Sequence, residues 1–317
     1  MLFSALFILG LVTTQAVVAP SVPTEAAIKV VAGNDVVADL VRAIAGQDVE
    51  LFVLGQGADP HHYEPTPADA KKIESADLVL EFGLGLDRAM GKLHRATGSK
   101  AKLLVVAEGL AKKGSDAAVT DHADHADHAD HDHNHDHGSS AVDPHIWHDP
   151  SQVRILNERI CAALVAVRPT SAEIFRSRSV ELDTQLVKLD EWIKAQVLLI
   201  PESKRLLVTT HDGLQSFGNR YGFRVVGIEM TSDGADVAPS QLIKMVNALR
   251  ETKSAVVFGD AAHHSRIAAT VAREANVRLI ETLRLDSLLQ PPAVEQGKAY
   301  LETMRLNVNT IVKALQD

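Results

Sequence analysis

From Ile28 onward, short apolar runs alternate with stretches whose apolar residues recur every three or four positions. That alternation is the signature of βα units on a parallel sheet. Residues 28–31 and 49–54 read as strands. Between them Asn34 can cap a helix whose Val37, Leu40, Val41 and Ile44 share one face, and Gly46 ends it. Thr66-Pro67-Ala68-Asp69 is a helix start, with a capping oxygen, a proline in the first turn and a carboxylate three residues on. Residues 78–82 and 103–106 complete a set of short buried strands, and 153–167 is helix-like.

Residues 171–198 differ in kind. Leu182, Leu186, Leu189, Ile193 and Val197 recur at spacings of three and four with charges between them, and Pro169 and Pro201 flank the run. The spacing predicts one helix of roughly 28 residues, about 40 Å long. The alternation then resumes, with strands at 206–209, 223–228, 255–258 and 277–280 and helices near 215–221, 239–251, 265–275 and 293–315. The chain is therefore expected to be an α/β protein of two similar βα lobes, 28–168 and 203–317, with mainly parallel sheets. One long rigid helix at 169–200 joins them. Ligands in such sheets bind outside the carboxyl ends of the strands, which places the site in the interlobe cleft.

The first nineteen residues carry no charged side chain, and their apolar core followed by Ala16 and Ala19 reads as a secretory signal peptide, although no Lys or Arg precedes that core. The apolar run is short for a membrane span. About 298 residues remain after cleavage, enough for two domains. Cys161 is the single cysteine and lies in the helix-like run, so no intrachain disulfide, sulfur-rich zinc site or amino-terminal lipidated cysteine is available. An exported, unlipidated, periplasmic monomer is the expectation. A formal charge of −9 argues against a nucleic-acid partner.

The charge reflects a second feature. Residues 112–143 are polar, and the expected disordered loop, at about 114–142, contains DHADHADHADHDHNHDH (121–137). Seven of the chain's fifteen histidines fall there: His122, His125, His128, His131, His133, His135 and His137. Imidazole suits a borderline metal such as zinc or copper, and a run of it offers many interchangeable weak sites. Four further spots offer ligands at strand-to-helix loops: Asp59-Pro60-His61-His62-Tyr63-Glu64, Asp143-Pro144-His145-Ile146-Trp147-His148, His211-Asp212, and Asp286. Three neutral imidazoles and one carboxylate would close a tetrahedral zinc site. A surface or hydrogen-bonding role is the ordinary fate of any one of these histidines, but Asp-Pro-His occurs in two separate loops.

These motifs carry a resemblance. GADPHHYEPTPAD (57–69), ADLVLEFGLGLD (76–87), DPHIWHDP (143–150), THDGLQSFGNRYG (210–222) and the segment 239–258 resemble the metal-binding, cluster A-I substrate-binding proteins of ABC transporters, in their zinc-type group. The resemblance runs from about Ile28 to the C-terminus. It implies that His61, His145, His211 and Asp286 are metal ligands, with His211 where manganese-type members have Glu. An acidic, His-rich insertion is also typical of zinc-type members.

Four positions depart from the family pattern. His62 adjoins His61, so the assignment of His61 rests on the motif register. His148 stands where Leu or Phe is usual, as an auxiliary ligand or a surface residue. Gly259-Asp260, followed by His263 and His264, replaces a usual Glu. No glycine follows Leu288, so Glu64 or water could replace Asp286. What the resemblance implies is a periplasmic protein that binds Zn2+ as transported ligand and passes it to the permease of an inner-membrane ABC transporter, with the His-rich loop as an auxiliary collector. A small periplasmic zinc chaperone is a further partner this reading allows. Affinity should fall as pH drops through the histidine range near ~6.5. The rivals are a zinc buffer or metallochaperone acting through the loop, and a zinc hydrolase with Glu64 as base. Against the hydrolase, the chain has no HExxH pair, no nucleophile elbow and no phosphate loop.

Overall fold

A computed structural model describes residues 26–56, 60–61, 63–110, 143–228, 238–262 and 265–316. The signal-peptide reading, His62, the His-rich loop and its seven histidines, and His263 and His264 lie outside them. Among the described residues, no helix is long and apolar enough to cross a membrane.

The first half runs β1 (Ile28–Ala32), α1 (Asp35–Ala45), β2 (Val49–Val53), α2 (Pro67–Glu74), β3 (Leu78–Glu81), α3 (Arg88–Thr97), β4 (Lys102–Val105) and α4 (Pro150–Val167). After α5 (Ala172–Val197) come β5 (Leu206–Thr209), α6 (Gln215–Tyr221), β6 (Arg224–Gly227), α7 (Pro239–Glu251), β7 (Val256–Asp260), α8 (Arg266–Ala275), β8 (Arg278–Leu283) and α9 (Ala299–Gln316). The sheets have the orders β2-β1-β3-β4 and β6-β5-β7-β8, and every pairing is parallel. Each lobe thus repeats one topology, with the strand order reversing beside β1 and β5. Open parallel sheets bind ligands outside the carboxyl ends near such a reversal.

Local chemistry sets the element ends where the pattern placed them. Asn34 Oδ1 accepts from Val37 N at 2.9 Å to cap α1. Thr66 and Asp69 form the capping box of α2, with Asp69 Oδ2 also accepting from Thr66 N at 2.6 Å and Tyr63 Oη at 2.7 Å. The helix expected at 293–315 starts later, at Ala299. Gly297 precedes it at φ +80°, and a Cβ there would sit 3.1 Å from the Ala43 backbone. The start of α9 is capped from α1, where Asp39 accepts from Gly297 N at 2.8 Å and Tyr300 N at 2.9 Å.

The long helix α5 has 26 residues, or about 39 Å, and buries Phe175, Leu182, Leu186, Leu189, Ile193 and Val197. It lies against α1, α4 and α9 rather than standing free between the lobes. One apolar core accordingly includes Val30 and Leu80 of the first sheet, Leu186 of α5, Phe258 of the second sheet and Val308 of α9. Rotating one lobe away from the other would expose this shared apolar surface, at about 25 cal/mol per Å². Smaller clusters fill the space under α2 and α3 and under α7 and α8.

A polar hub joins α5 to α6. Asp190 accepts two hydrogen bonds from Arg220, at 2.7 and 3.1 Å, one from Tyr221 Oη at 2.9 Å and one from Lys194 at 2.6 Å. Burial pushes the Asp190 carboxyl up, but hydrogen bonds from Arg220, Lys194 and Tyr221 hold it below the usual carboxylate range. Asp190→Asn should lower stability at pH 7 by about 2–3 kcal/mol, less than for a fully buried pair because the Arg220 side chain is 31% exposed. A group with a lowered folded pKa stabilises above its unfolded value, and that contribution fades as pH falls through the folded one. Urea unfolding of both proteins should therefore show the gap closing below about pH 4.

Candidate metal centre

Each of four loops at the carboxyl ends of strands delivers one side chain to the cleft. His61 follows β2, His145 stands on the segment between β4 and α4, His211 lies just after β5, and Asp286 lies beyond β8. His145 Nε2 is 3.0 Å from His61 Nε2 and 3.1 Å from His211 Nε2. Asp286 Oδ1 is 3.0 Å from His145 Nε2 and 3.7 Å from His61 Nε2, and its Oδ2 is 3.4 Å from His211 Nε2. One ligand atom from each lies within 4.8 Å of all the others. A tetrahedral ion with bonds of about 2.0–2.2 Å has ligand-to-ligand edges of about 3.3–3.6 Å. The observed separations bracket that range.

The two deepest members, His145 and Asp286, are buried, while the side chains of His61 and His211 stay about a quarter exposed, at 25% and 23%. A route from solvent therefore reaches the donor atoms past two imidazoles. Gly213 lies close against two of the rings, since a Cβ there would meet His211 Cδ2 at 3.3 Å and His145 Cδ2 at 3.5 Å.

Asp143 orients His145. One carboxylate oxygen accepts from His145 N at 2.9 Å and from His145 Nδ1 at 2.7 Å, and the other accepts from Ser216 Oγ at 3.4 Å. With the Nδ1 proton held by Asp143, the Nε2 lone pair faces the centre. Burial pulls the His145 pKa down, but hydrogen bonds and charge from Asp143 and Asp286 more than reverse this and raise it to about 9. Burial likewise opposes charge on Asp286, yet the facing His145, His61 and His211 hold its carboxyl far below the usual range.

Of the other residues expected from sequence, His148 is neither on the surface nor in the group. It is 2% exposed, and its Nε2 lies 3.0 Å from the Leu285 carbonyl oxygen. Burial and the neighbouring charge of His145 pull its pKa down to about 4, so it is a neutral hydrogen-bond donor to that carbonyl. Glu64 is exposed and is not among the four converging residues, whereas Asp286 is. Asp143 is the functional residue whose role went unread. Its signal was present in the first half of the Asp-Pro-His motif, since an Asp bonding the backbone two residues on is a common turn device. Asp260, standing where a Glu was expected, accepts from Ala262 N and Leu285 N, each at 2.6 Å, and so ties β7 to the loop that bears Asp286.

Comparison with known proteins agrees with this arrangement. The family described as zinc-uptake complex component A periplasmic (ZnuA) matches residues 30–314. The manganese-binding lipoprotein MntA of Bacillus subtilis (strain 168) is 30% identical over 295 residues, covering 91% of this chain and 90% of its own. The manganese ABC transporter substrate-binding lipoprotein PsaA of Streptococcus anginosus is 28% identical over 289 residues, covering 91% and 89%. Among solved structures, the periplasmic zinc binding protein TroA from Treponema pallidum has a TM-score of 0.73 at 25% identity, covering 90% of this chain and 98% of that one. Since the family match runs from β1 to the last turn of α9, it spans both lobes and all four converging side chains. The chain belongs to the zinc-uptake complex component A periplasmic family, the metal-binding substrate-binding proteins of ABC transporters.

Proposed function

We propose that this protein captures Zn2+ between its lobes in the periplasm and delivers it to the membrane permease of an ABC transporter for uptake. The observation that carries this reading is the convergence of three imidazole nitrogens and one buried carboxylate at near-tetrahedral spacing. Three nitrogens and one oxygen suit a borderline ion, whereas the harder manganese prefers oxygen. Relatives named for manganese share the fold, but the third nitrogen from His211 favours zinc in this chain. Asp286 Oδ1 is buried and faces the Nε2 atoms of His145 and His61, at 3.0 and 3.7 Å, so its lone pairs point where a cation would bridge them. Four ligands from the protein leave no open position for an attacking water, which supports carriage over hydrolysis. The tract 121–137 would act as an auxiliary collector, raising the local supply of zinc to the cleft.

Two measurements bear on this. A protein lacking residues 121–137, titrated with zinc against a competing chelator at neutral pH, should keep one tight equivalent. His145→Ala with His211→Ala in that background should weaken it by more than about 100-fold, beyond the ~10–100-fold typical of outer-shell partners. Loss of tight binding on deleting the tract alone would instead make the protein a buffer.

The second concerns protons. His145 carries one at neutral pH when no metal is bound, because its pKa is raised to about 9. Zinc needs the unprotonated Nε2, so the proton competes with the metal and lower pH weakens binding. Calorimetry at pH 7.5 in buffers of different ionisation enthalpy should show about one proton released per zinc from this residue, with affinity falling about tenfold per unit below pH 9. No proton release at pH 7.5 would show that His145 is already neutral in the metal-free protein and overturn the raised pKa.

A further inference from the structure

The loop that brings Asp286 into the cleft is held from several sides. Asn307 of α9 bonds the Arg284 peptide through both its amide atoms, at 2.8 and 2.9 Å, and Thr303 Oγ1 accepts from Leu289 N at 2.9 Å. The firmest hold is on Leu285, the residue before Asp286. Its N–H donates to Asp260 Oδ2 at 2.6 Å. Its carbonyl oxygen accepts from both Trp147 Nε1 and His148 Nε2, each at 3.0 Å. Leu285, Trp147 and His148 are all buried, and Trp147's own carbonyl accepts from Tyr300 Oη at 2.8 Å.

We propose that His148 is a positioning residue for the metal: its Nε2–H, beside that of Trp147, fixes the Leu285 carbonyl and so aims the Asp286 carboxylate at the three imidazoles. This deepens the zinc reading and rests on Asp286 being a ligand. The peptide bond supplies the lever. The Leu285 carbonyl and the Asp286 Cα lie in one rigid plane, so a fixed oxygen fixes where the Asp286 side chain begins. A single donor would leave that plane free to swing about the hydrogen bond, and two donors remove the swing. Trp147 and His148 also belong to the short turn directly after His145, so one turn sets two of the four converging groups.

The test is a double-mutant cycle read by competitive zinc titration, with His148→Leu and His148→Gln made in the wild type and in Asp286→Ala. His148→Leu should lower zinc affinity about 10–100-fold, the usual cost of an outer-shell partner. His148→Gln, whose amide can donate to the same carbonyl, should restore most of it. In the Asp286→Ala background His148→Leu should have no further effect, and in the wild type its Co2+ complex should show an altered d–d absorption band. Should His148→Leu fail to fold by circular dichroism, His148→Asn, polar but too short to reach the carbonyl, takes its place. An equal loss with and without Asp286, or no loss at all, would overturn the positioning role. Zinc affinity unchanged in Asp286→Ala alone would remove the ligand reading itself, a separate outcome.

Discussion

Electron-pair donors at close range repel one another unless something positive lies between them, and the cleft of this protein is built around that constraint. Three imidazole nitrogens and a carboxylate meet where His145 and Asp286 are buried. Water cannot relieve such a group as it would at the surface, so a proton or a metal ion must. The raised pKa of His145 and the lowered one of Asp286 are two expressions of this single fact. The remainder of the molecule can be understood as what holds four mutually repelling groups in register.

That holding is done in layers. Asp143 fixes the rotation of one ring, and hydrogen bonds from Asp260, Trp147 and His148 fix the chain beside Asp286. Behind them, α5 and α9 join both sheets into one apolar core, and Asp39 of α1 caps the start of α9. A site drawn from two lobes needs such a connection, because an error of an ångström in their relation would spread the donor atoms beyond the edges of a tetrahedron. The shared core makes wide rotation costly. Loop adjustments near His61 and His211, the two more exposed members of the group, are the cheaper way to admit an ion.

Much of the fold was legible because it rests on local rules. The caps at Asn34 and Thr66 act within three residues, and the apolar stripe of α5 repeats over seven turns. Helix α3 escaped notice because RAMGKLHRAT buries only Met90 and Gly91, too narrow a stripe to stand out. The late start of α9 was hidden for another reason. Residues 293–298 look compatible with helix, but Gly297 lies against Ala43 of α1, a contact no local pattern announces. The packing of the long helix against α1, α4 and α9 was hidden for the same reason: periodicity reports that a face is buried, not what buries it.

The sequence by itself determined most of the elements, the doubled parallel architecture and the histidines and aspartate worth watching, since periodicity and capping are short-range properties of the chain. The tertiary structure alone decided which of those side chains meet. His61 and Asp286 are more than two hundred residues apart, and only the common strand order of the two sheets turns their loops toward one cleft. It also decided that His148, three residues after His145, faces a backbone carbonyl and that Glu64 faces solvent. Ligand chemistry is written in residue type, but coordination depends on direction, and direction is settled by packing.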